Sequence, residues 1–540
     1  MNLQAGKRSE RTISAIMRRV RSKDTTPETL FRKALWAHGR RYRLYSPRLP
    51  GKPDIVIPSL RLCIFIDGDY WHGGQWVRRR LASLEDQFPN TRSKGYWLKK
   101  IRKNMGRDCS ATAALLSDGW KVLRFWESQI MNDLDACVNV ALDVGEKSTG
   151  DAEYSRLAFK SVAEFFSGIG LVRMALERHG WSVAYANDIE PKKREMYVGH
   201  FQEGDAVFHL KDIHEAQPQE IPSVTLATAS FPCNDLSLAG SRSGLKGRQS
   251  SAFWGFIRLI EGLEHRRPPL ILLENVTGFL SSRHGKDFHE AVSALNRLGY
   301  SVDAFVLDAR FFVPQSRPRL FVVGVVDDSL GRSDAPDQPA LETNELRPRR
   351  LTEFIARHDD IRWKIRALPI PPRTDIELRG ILEDLPHDAP EWWNAERTEY
   401  LFNQMSDKHR EIAERMTAGP DWSYATAFRR IRKGRSMAEL RDDGVAGCLR
   451  TPRGGSGRQI LLKAGYGRRF ARLLTPRECA RLMGADNYSI TAPLNQALFG
   501  FGDAVCVPVI EWIAQYYLNP VVNELLRGRV LCLPDIGRKP

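Results

Sequence analysis

The sequence predicts an α/β protein built from more than one domain. Residues 162–330 alternate apolar strand-like runs with amphipathic helical stretches. A polar break, GEKSTGDAEYSRL at 145–157, separates two patterned regions. The length of 540 residues suits two to four domains. With 42% hydrophobic and 27% charged residues the composition is that of a globular protein, not a disordered or collagen-like one. No run of about 18 apolar residues is evident, so no membrane span is expected. The first 25 residues are polar and Arg-rich, without the apolar core of a secretory signal. Eight cysteines include no CxxC pair, which reads as reduced intracellular thiols in a cytoplasmic protein.

The elements follow in order. VAEFF, from Val162, is a buried strand, and SGIG leads into the helical pattern LVRMALERHG. WSVAYAND, VTLATASF, LILLENV, VDAFVLDA and RLFVVGV read as further strands, with helices at 251–265 and 286–298. This is the alternation of a doubly wound sheet, whose sites lie at the carboxyl ends of strands. After Gly324 the chain becomes rich in Asp, Pro and Arg, and periodicity stays weak until about residue 460. Helical periodicity returns over 470–520.

Charge is unevenly placed. Residues 1–150 hold 28 Lys+Arg against 15 Asp+Glu, a net of +13 out of the total +16. Such an excess in one domain suits a polyanion such as nucleic acid, though solubility or an anionic membrane surface would use it too.

Four strand ends carry chemistry-bearing residues. Phe166-Ser167-Gly168-Ile169-Gly170 ends one strand and opens a helix, and Asp188 ends the next. The spacing suits a nucleotide-like cofactor and equally a plain strand–helix turn. Pro232-Cys233-Asn234 places a thiol after a third strand, and Glu274 lies at the end of a fourth. Arg317 and Arg319, at i and i+2, face the same way at the start of another strand. Together they are a nucleophile, an acid and a guanidinium pair; singly, each has an ordinary structural explanation.

The ordered set FFSGIG, FPCN, ENV, QSRPR, LLTPRECARLMG and GDAV resembles the cytosine-5 DNA methyltransferases over roughly 157–520. The resemblance implies a Rossmann-like domain for S-adenosylmethionine (AdoMet) at 157–329 and 466–520, with a target-recognition domain inserted at 330–465. It implies that Cys233 attacks cytosine C6, that Glu274 engages N3, and that Arg317 and Arg319 hold the base and the catalytic loop. Phe166, Ser167, Gly168 and Gly170 would line the methionine of AdoMet, Asp188 would face its ribose, Asp212 and Ile213 the adenine side, and Pro232 would also contact the cofactor. Asn234, GDAV and Cys448-Leu449 depart from the Gln, GNSV and Thr-Leu usual in the family.

The first domain, residues 1–145, mixes basic residues with Trp36, Tyr42, Tyr70, Trp71, Trp76, Tyr96 and Trp97. Aromatics among Arg and Lys can stack on or wedge between bases; many such residues are simply core, as expected for Trp120 and Trp126. LPGKPDIVIP puts Asp54 at a turn before a strand, and RLCIFIDGDYWHG adds Asp67, Asp69 and His72. Carboxylates one strand apart with a nearby His suit hydrolysis with a hard cation, although an Asp at a strand end is often structural.

The order TISAIMRRVRSKDTTPE, LPGKPDIVIP, IFIDGDYWHG, TRSKGYWLKKIRKNMGRD, GWKVLRFWE resembles the very-short-patch-repair (Vsr-type) endonucleases over roughly 8–135. The resemblance implies a PD-(D/E)xK-like nuclease that nicks beside the T of a T·G mismatch. Asp54 and the Ile66 carbonyl would hold Mg²⁺, His72 would be the general base with Asp67 and Glu28 assisting, and Tyr70, Trp71 and Trp97 would form the wedge. A structural zinc is frequent in that family, but its positions here are Asp69, Gly74, Trp76 and Ser128, so no zinc is expected. The sequence therefore reads as a monomeric fusion acting on double-stranded DNA, without membrane attachment, in the bacterial cytoplasm at the nucleoid. Two alternatives stay open: a fused restriction–modification enzyme, and a methyltransferase carrying an inactive DNA-binding module.

Overall fold

The computed structural model describes residues 23–72, 75, 79, 84–88, 94–146, 160–201, 204–232, 251–326, 341–432, 434–450 and 458–530. The chain divides into two compact units, Met1–Ala158 and Phe159–Pro540.

The first unit carries a four-stranded sheet of order β1 (Arg43–Leu44), β2 (Ile55–Ile57), β3 (Leu62–Asp67), β4 (Lys121–Trp126). β1–β2 and β2–β3 pair antiparallel, whereas β3–β4 pair in parallel across the long helix α2. The helices are α1 (Thr26–Ala37), α2 (Lys94–Ser117), α3 (Glu127–Asn132) and α4 (Leu134–Glu146). α1 starts where Thr25 Oγ1 accepts from the Glu28 N–H, with proline in the first turn. Phe31 and Leu35 on α1 and Val138 and Ala141 on α4 pack on Ile55, Ile64 and Leu123 of the sheet. Trp120 and Trp126, expected in the core, are only half-buried. The Trp120 Nε1 donates to Asp118 instead of being enclosed.

The second unit is organised by a seven-stranded sheet of order β10-β11-β9-β8-β5-β6-β7. The strands are β5 (Ser161–Phe165), β6 (Ser182–Asp188), β7 (Phe208–Leu210), β8 (Leu226–Ala229), β9 (Leu270–Val276), β10 (Tyr300–Asp308) and β11 (Pro318–Val326). β9 through β7 are parallel, and β11 pairs antiparallel with both β9 and β10. β5 and β8 are buried along their length, as strands covered on both faces must be. Helices α5 (Leu171–Arg178), α6 (Pro191–His200), α7 (Ser251–Gly262), α8 (Lys286–Arg297) and α9 (Arg349–Arg357) accompany it. Two apolar layers cover the sheet, one built around Trp181 and Phe305, the other around Phe165 and Phe256. From β5 the chain winds to β6 and β7 on one side, then crosses to β8 and β9 on the other. The carboxyl ends of β5 and β8 therefore flank the crevice where such sheets bind ligands.

Residues 395–473 add α10 (Ala395–Asn403), α11 (Asp407–Ala418) and an antiparallel sheet of order β13-β12-β14-β15. Its strands are β12 (Ser423–Arg432), β13 (Arg435–Arg441), β14 (Ile460–Gly465) and β15 (Arg468–Leu473). The chain returns to the larger sheet through α12 (Pro476–Leu482), α13 (Leu494–Asp503), α14 (Val507–Ile513), a π-helical turn at Ala514–Leu518 and α15 (Asn519–Val530). LLTPRE is the start signal of α12. Thr475 Oγ1 accepts from the Glu478 N–H, and Glu478 Oε2 accepts from the Thr475 N–H. The buried Glu478 also pairs with buried Arg472 of β15, which ties the smaller sheet to this helix.

Leu494–Leu525 is long and apolar enough to cross a membrane by length and composition. Most of its apolar stretch is nevertheless buried against the sheet, including Phe501, Ile510, Ile513 and Leu518.

Gly170 caps α5 with φ of +81°, and a Cβ there would stand 2.5 Å from Phe201 and 2.8 Å from Tyr197. Gly170→Ala should cost about 2–4 kcal/mol, combining left-handed strain with overpacking. Gly168→Ala, whose Cβ meets only the Phe166 carbonyl at 4.0 Å, should cost only about 1 kcal/mol. Thermal melts of the two full-length variants check this; equal melting temperatures would refute it.

Candidate active sites

In the second unit the glycine turn after β5 is held from β6. The Gly168 N–H donates to Asp188 Oδ2 at 2.9 Å, and the Ser167 N–H donates to the Asn187 carbonyl at 2.9 Å. Phe166 has φ of +56° and Gly168 φ of +57°, so the turn is bent through the left-handed region at the crevice. Space beside Gly168 is open, whereas Gly170 faces the Tyr197 and Phe201 rings. Gly170 is thus required for packing behind the turn. Asp188 Oδ1 also accepts from the Glu190 N–H. Next to it Ile189, which the sequence reading missed, is 63% exposed despite being large and apolar. Asp212 Oδ1 accepts from the His214 N–H, Ile213 is buried, and Pro232 is exposed just beyond β8. Cys233 lies outside the described residues.

Glu274, near the end of β9, is paired with Arg319 of β11, with Arg319 Nε 3.0 Å from Oε1. The adjoining Asn275 Nδ2 donates to the Phe231 carbonyl, fixing the β9 end to the segment that leads to Cys233. Arg317 behaves differently from its expected role on the base. It is 3% exposed and donates to the carbonyls of Leu449, Gly502 and Ala504 at 2.7–3.0 Å. Its geometry is that of a clamp between remote segments. Gln315 of the same motif also clamps, donating to the Leu482 carbonyl and accepting from the Leu449 N–H. Cys448 was noted in the sequence only as a departure. Its Sγ lies 3.3 Å from Arg317 Nη1 and 3.8 Å from Arg319 Nη2. Burial opposes its ionisation, but these two cations outweigh burial and draw the thiol below its ordinary range.

In the first unit β2 and β3 bring Asp54 to the Ile66 backbone, whose N–H donates to Asp54 Oδ2 at 2.8 Å. A strand residue's N–H and C=O point to the same edge, so the Ile66 carbonyl faces the same side as Asp54. Burial raises Asp54 to about 7; the Ile66 N–H opposes the rise, and the charges of Glu28 and Asp67 add to it. Glu28 accepts from the Tyr45 hydroxyl at 2.5 Å and from Thr25 Oγ1.

Asp67 Oδ1 stands 3.6 Å from His72 Nδ1, and both Asp67 oxygens accept from Arg124, at 2.6 and 2.7 Å. The nearer partner of His72 is Asp108 of α2, with Nδ1 2.5 Å from Oδ2, and Arg124 Nη2 stands 3.3 Å from Asp108. Burial works against His72 protonation, but the Asp108 hydrogen bond and the Asp67 charge outweigh it and raise the imidazole above its ordinary value. Asp108 and Arg124 lie 36 and 52 positions beyond His72, within the segments TRSKGYWLKKIRKNMGRD and GWKVLRFWE, but the sequence reading assigns no role to either.

The Tyr70, Trp71 and Trp97 rings do come together, with centroids 5.2–5.6 Å apart. They are half-buried, and Lys100 lies over Trp71 and Trp97. Asp69 is bonded to Ser128, whose N–H and Oγ both donate to its carboxylate, at 3.0 and 2.7 Å. Gly74 and Trp76 lie outside the described residues.

Known proteins fit both sites. Residues 160–518 match the C-5 cytosine-specific DNA methylase family, and the chain belongs to that family. Residues 6–78 match the DNA mismatch endonuclease Vsr family, so the chain fuses the two. It is 41% identical over 126 residues to the type II nicking enzyme V.XorIIP of Xanthomonas oryzae pv. oryzae, covering 22% of this chain and 82% of that one. It is 37% identical over 117 residues to the type II nicking enzyme V.NmeDIP of Neisseria meningitidis serogroup C, covering 22% and 74%. The type II methyltransferase M.NgoBI of Neisseria gonorrhoeae is 27% identical over 350 residues, 64% of this chain and 90% of that one. The protein is an AdoMet-class cytosine methyltransferase with an endonuclease domain, and it acts on DNA.

The buried cation Arg124 is what lets Asp67 and Asp108 coexist. Arg124→Met should destabilise the first unit by about 3–5 kcal/mol, because two carboxylates lose their shared partner. Urea unfolding of the full chain checks this; an unshifted first transition would refute it.

Proposed function

We propose that the second unit methylates cytosine C5 within one DNA sequence and that the first nicks the T·G mismatch left when that methylcytosine deaminates. What carries the reading is the presence, on one chain, of the Arg319–Glu274 pair beside an AdoMet-type crevice and of Asp54 with a His72–Asp108 dyad.

Residues 157–329 and 466–520 form the catalytic domain and 330–465 the inserted recognition domain. The β12–β13 hairpin supports the latter, with Arg429, Arg430, Arg432 and Arg435 around the exposed Ile431. The crevice fits AdoMet: the gap beside Gly168 admits a ligand, Asp188 accepts ribose hydroxyls, and Ile189 offers a flat ring an apolar rest. Phe166 and Ser167 line the methionine, with Asp212 and Ile213 toward the adenine and Pro232 also in contact with the cofactor. AdoMet, when bound, supplies the methyl electrophile. The target cytosine leaves the stack to reach the Cys233 thiolate, which adds to C6 and makes C5 nucleophilic. Glu274, steadied by Arg319, holds N3 as charge develops there, while Arg317 keeps that arginine's strand in place.

The first unit, residues 1–145, has the mixed sheet of a PD-(D/E)xK nuclease. Asp54 and the Ile66 carbonyl suit Mg²⁺, a hard cation that takes oxygen ligands. Burial, with the Glu28 and Asp67 charges adding, disfavours the Asp54 anion, and a cation held there would offset that. Asp54 and the Ile66 carbonyl would hold that ion, which would supply positive charge against the phosphodiester. His72 takes the proton of the attacking water and Asp108 holds its ring; Glu28 contributes charge behind Asp54. Tyr70, Trp71 and Trp97 form the face presented to the mismatch. The Asp69–Ser128 bonds hold the corner where relatives place zinc, and no zinc is expected. The enzyme works as a monomer on nucleoid DNA.

Cys233→Ser should abolish methyl transfer and leave AdoMet binding by calorimetry intact; methylation near the parent rate would refute the nucleophile. Asp54→Ala should abolish Mg²⁺-dependent nicking of T·G duplexes while methylation continues. The Mg²⁺ concentration for half-maximal nicking should rise as pH falls below about 7, because protons compete for Asp54. Nicking should increase with pH as His72 loses its proton. Asp108→Asn should move that rise to lower pH by removing the anion that favours the imidazolium. Cleavage of matched, unmethylated duplexes would favour a restriction enzyme. Intact T·G, matched and methylated duplexes would favour an inactive DNA-binding arm.

A further inference from the structure

Away from both sites, the second unit gathers two imidazoles and a carboxylate. His289 on α8 has Nε2 2.7 Å from Asp360 Oδ2. His358, which ends α9, has Nδ1 3.7 Å from Asp360 Oδ1. The two rings are 4.6 Å apart between centroids, and one ligand atom from each of the three residues lies within 4.8 Å of the others.

We propose that His289, His358 and Asp360 bind a borderline divalent transition-metal cation, of the zinc, cobalt or nickel class. Two nitrogens and one oxygen suit that class and leave a coordination position for water, whereas Mg²⁺ and Ca²⁺ prefer all-oxygen sets. The carboxylate sits between two rings that both reach for it, and a cation engages all three groups at once. The scaffold behind them is fixed. His358 lies against the Phe354 ring at 4.3 Å, and its carbonyl accepts from Trp363 Nε1 at 2.9 Å. Phe354 packs at 4.9 Å on Phe288, the residue before His289. Both histidines thus stand on one aromatic contact of the core, which preorients their rings. The ligands themselves are open to solvent, with side-chain exposures of 32%, 33% and 56%. An ion can enter without unfolding, and substitutions there spare the core.

Bound metal would join α8 to the segment that runs beside β10, where the Val302 N–H donates to the Arg362 carbonyl. The expected result is added thermal stability of this unit, not altered chemistry.

Chelator-treated full-length protein, titrated with Zn²⁺ and with Co²⁺, tests the proposal against His289→Ala and His358→Ala. The nuclease cluster of Asp67, His72 and Asp108 stays in every variant, so only the difference in stoichiometry is read. Wild type should take up one more equivalent than either variant. Its Co²⁺ visible absorption should be larger, and Zn²⁺ should raise its melting temperature more than theirs. Equal stoichiometry with equal Co²⁺ spectra overturns the proposal.

Discussion

Arg317 is the point on which the methyltransferase unit turns. A guanidinium cannot be stripped of water without replacement donors' partners, and here backbone carbonyls supply them. Those carbonyls belong to segments 132, 185 and 187 positions further along the chain. Burial makes the positive form harder to keep, so the surrounding carbonyl dipoles must stay in place for the side chain to remain there. The strand start that presents Arg319 to Glu274 is thereby fixed to the return helices and to the connection between β13 and β14. The Arg319–Glu274 pair inherits its position from that clamp.

The nuclease unit solves a related problem with the opposite balance of charge. There the acids are in excess, and Arg124 is the cation around which Asp67 and Asp108 are arranged. Asp108 is then free to hold the His72 ring, while Asp54 stands apart with a backbone N–H and acidic neighbours. One carboxyl, Asp108, is favoured as the anion by its cationic partners, and another, Asp54, is pushed upward by burial and acidic neighbours. That separation of roles comes from placement alone, since all three are aspartates.

Much of this was legible in the chain. Apolar runs marked the strands of the large sheet, and the SGIG turn after β5 and the polar break at 145–157 marked boundaries around them. β7 escaped because it has three residues and a mostly exposed face. The helix carrying Asp108 escaped because KGYWLKKIRKNMGRD is dominated by charge, and its apolar residues serve only one narrow face. Asp108 and Arg124 could not be found by spacing, since parallel pairing of β3 with β4 is what brings them to His72.

The Asp69–Ser128 contact bears on how the chain is made. Where a corner is closed by metal, a newly synthesised domain waits for an ion before it is complete, and its yield follows the supply of that ion. A carboxylate capping a serine needs no such delivery. The Asp69–Ser128 contact can form once Ser128 has been translated, with no ion to wait for. An N-terminal unit that matures on its own schedule is suited to a long fusion, because a stalled partner would otherwise leave the rest of the polypeptide attached to an unfinished neighbour.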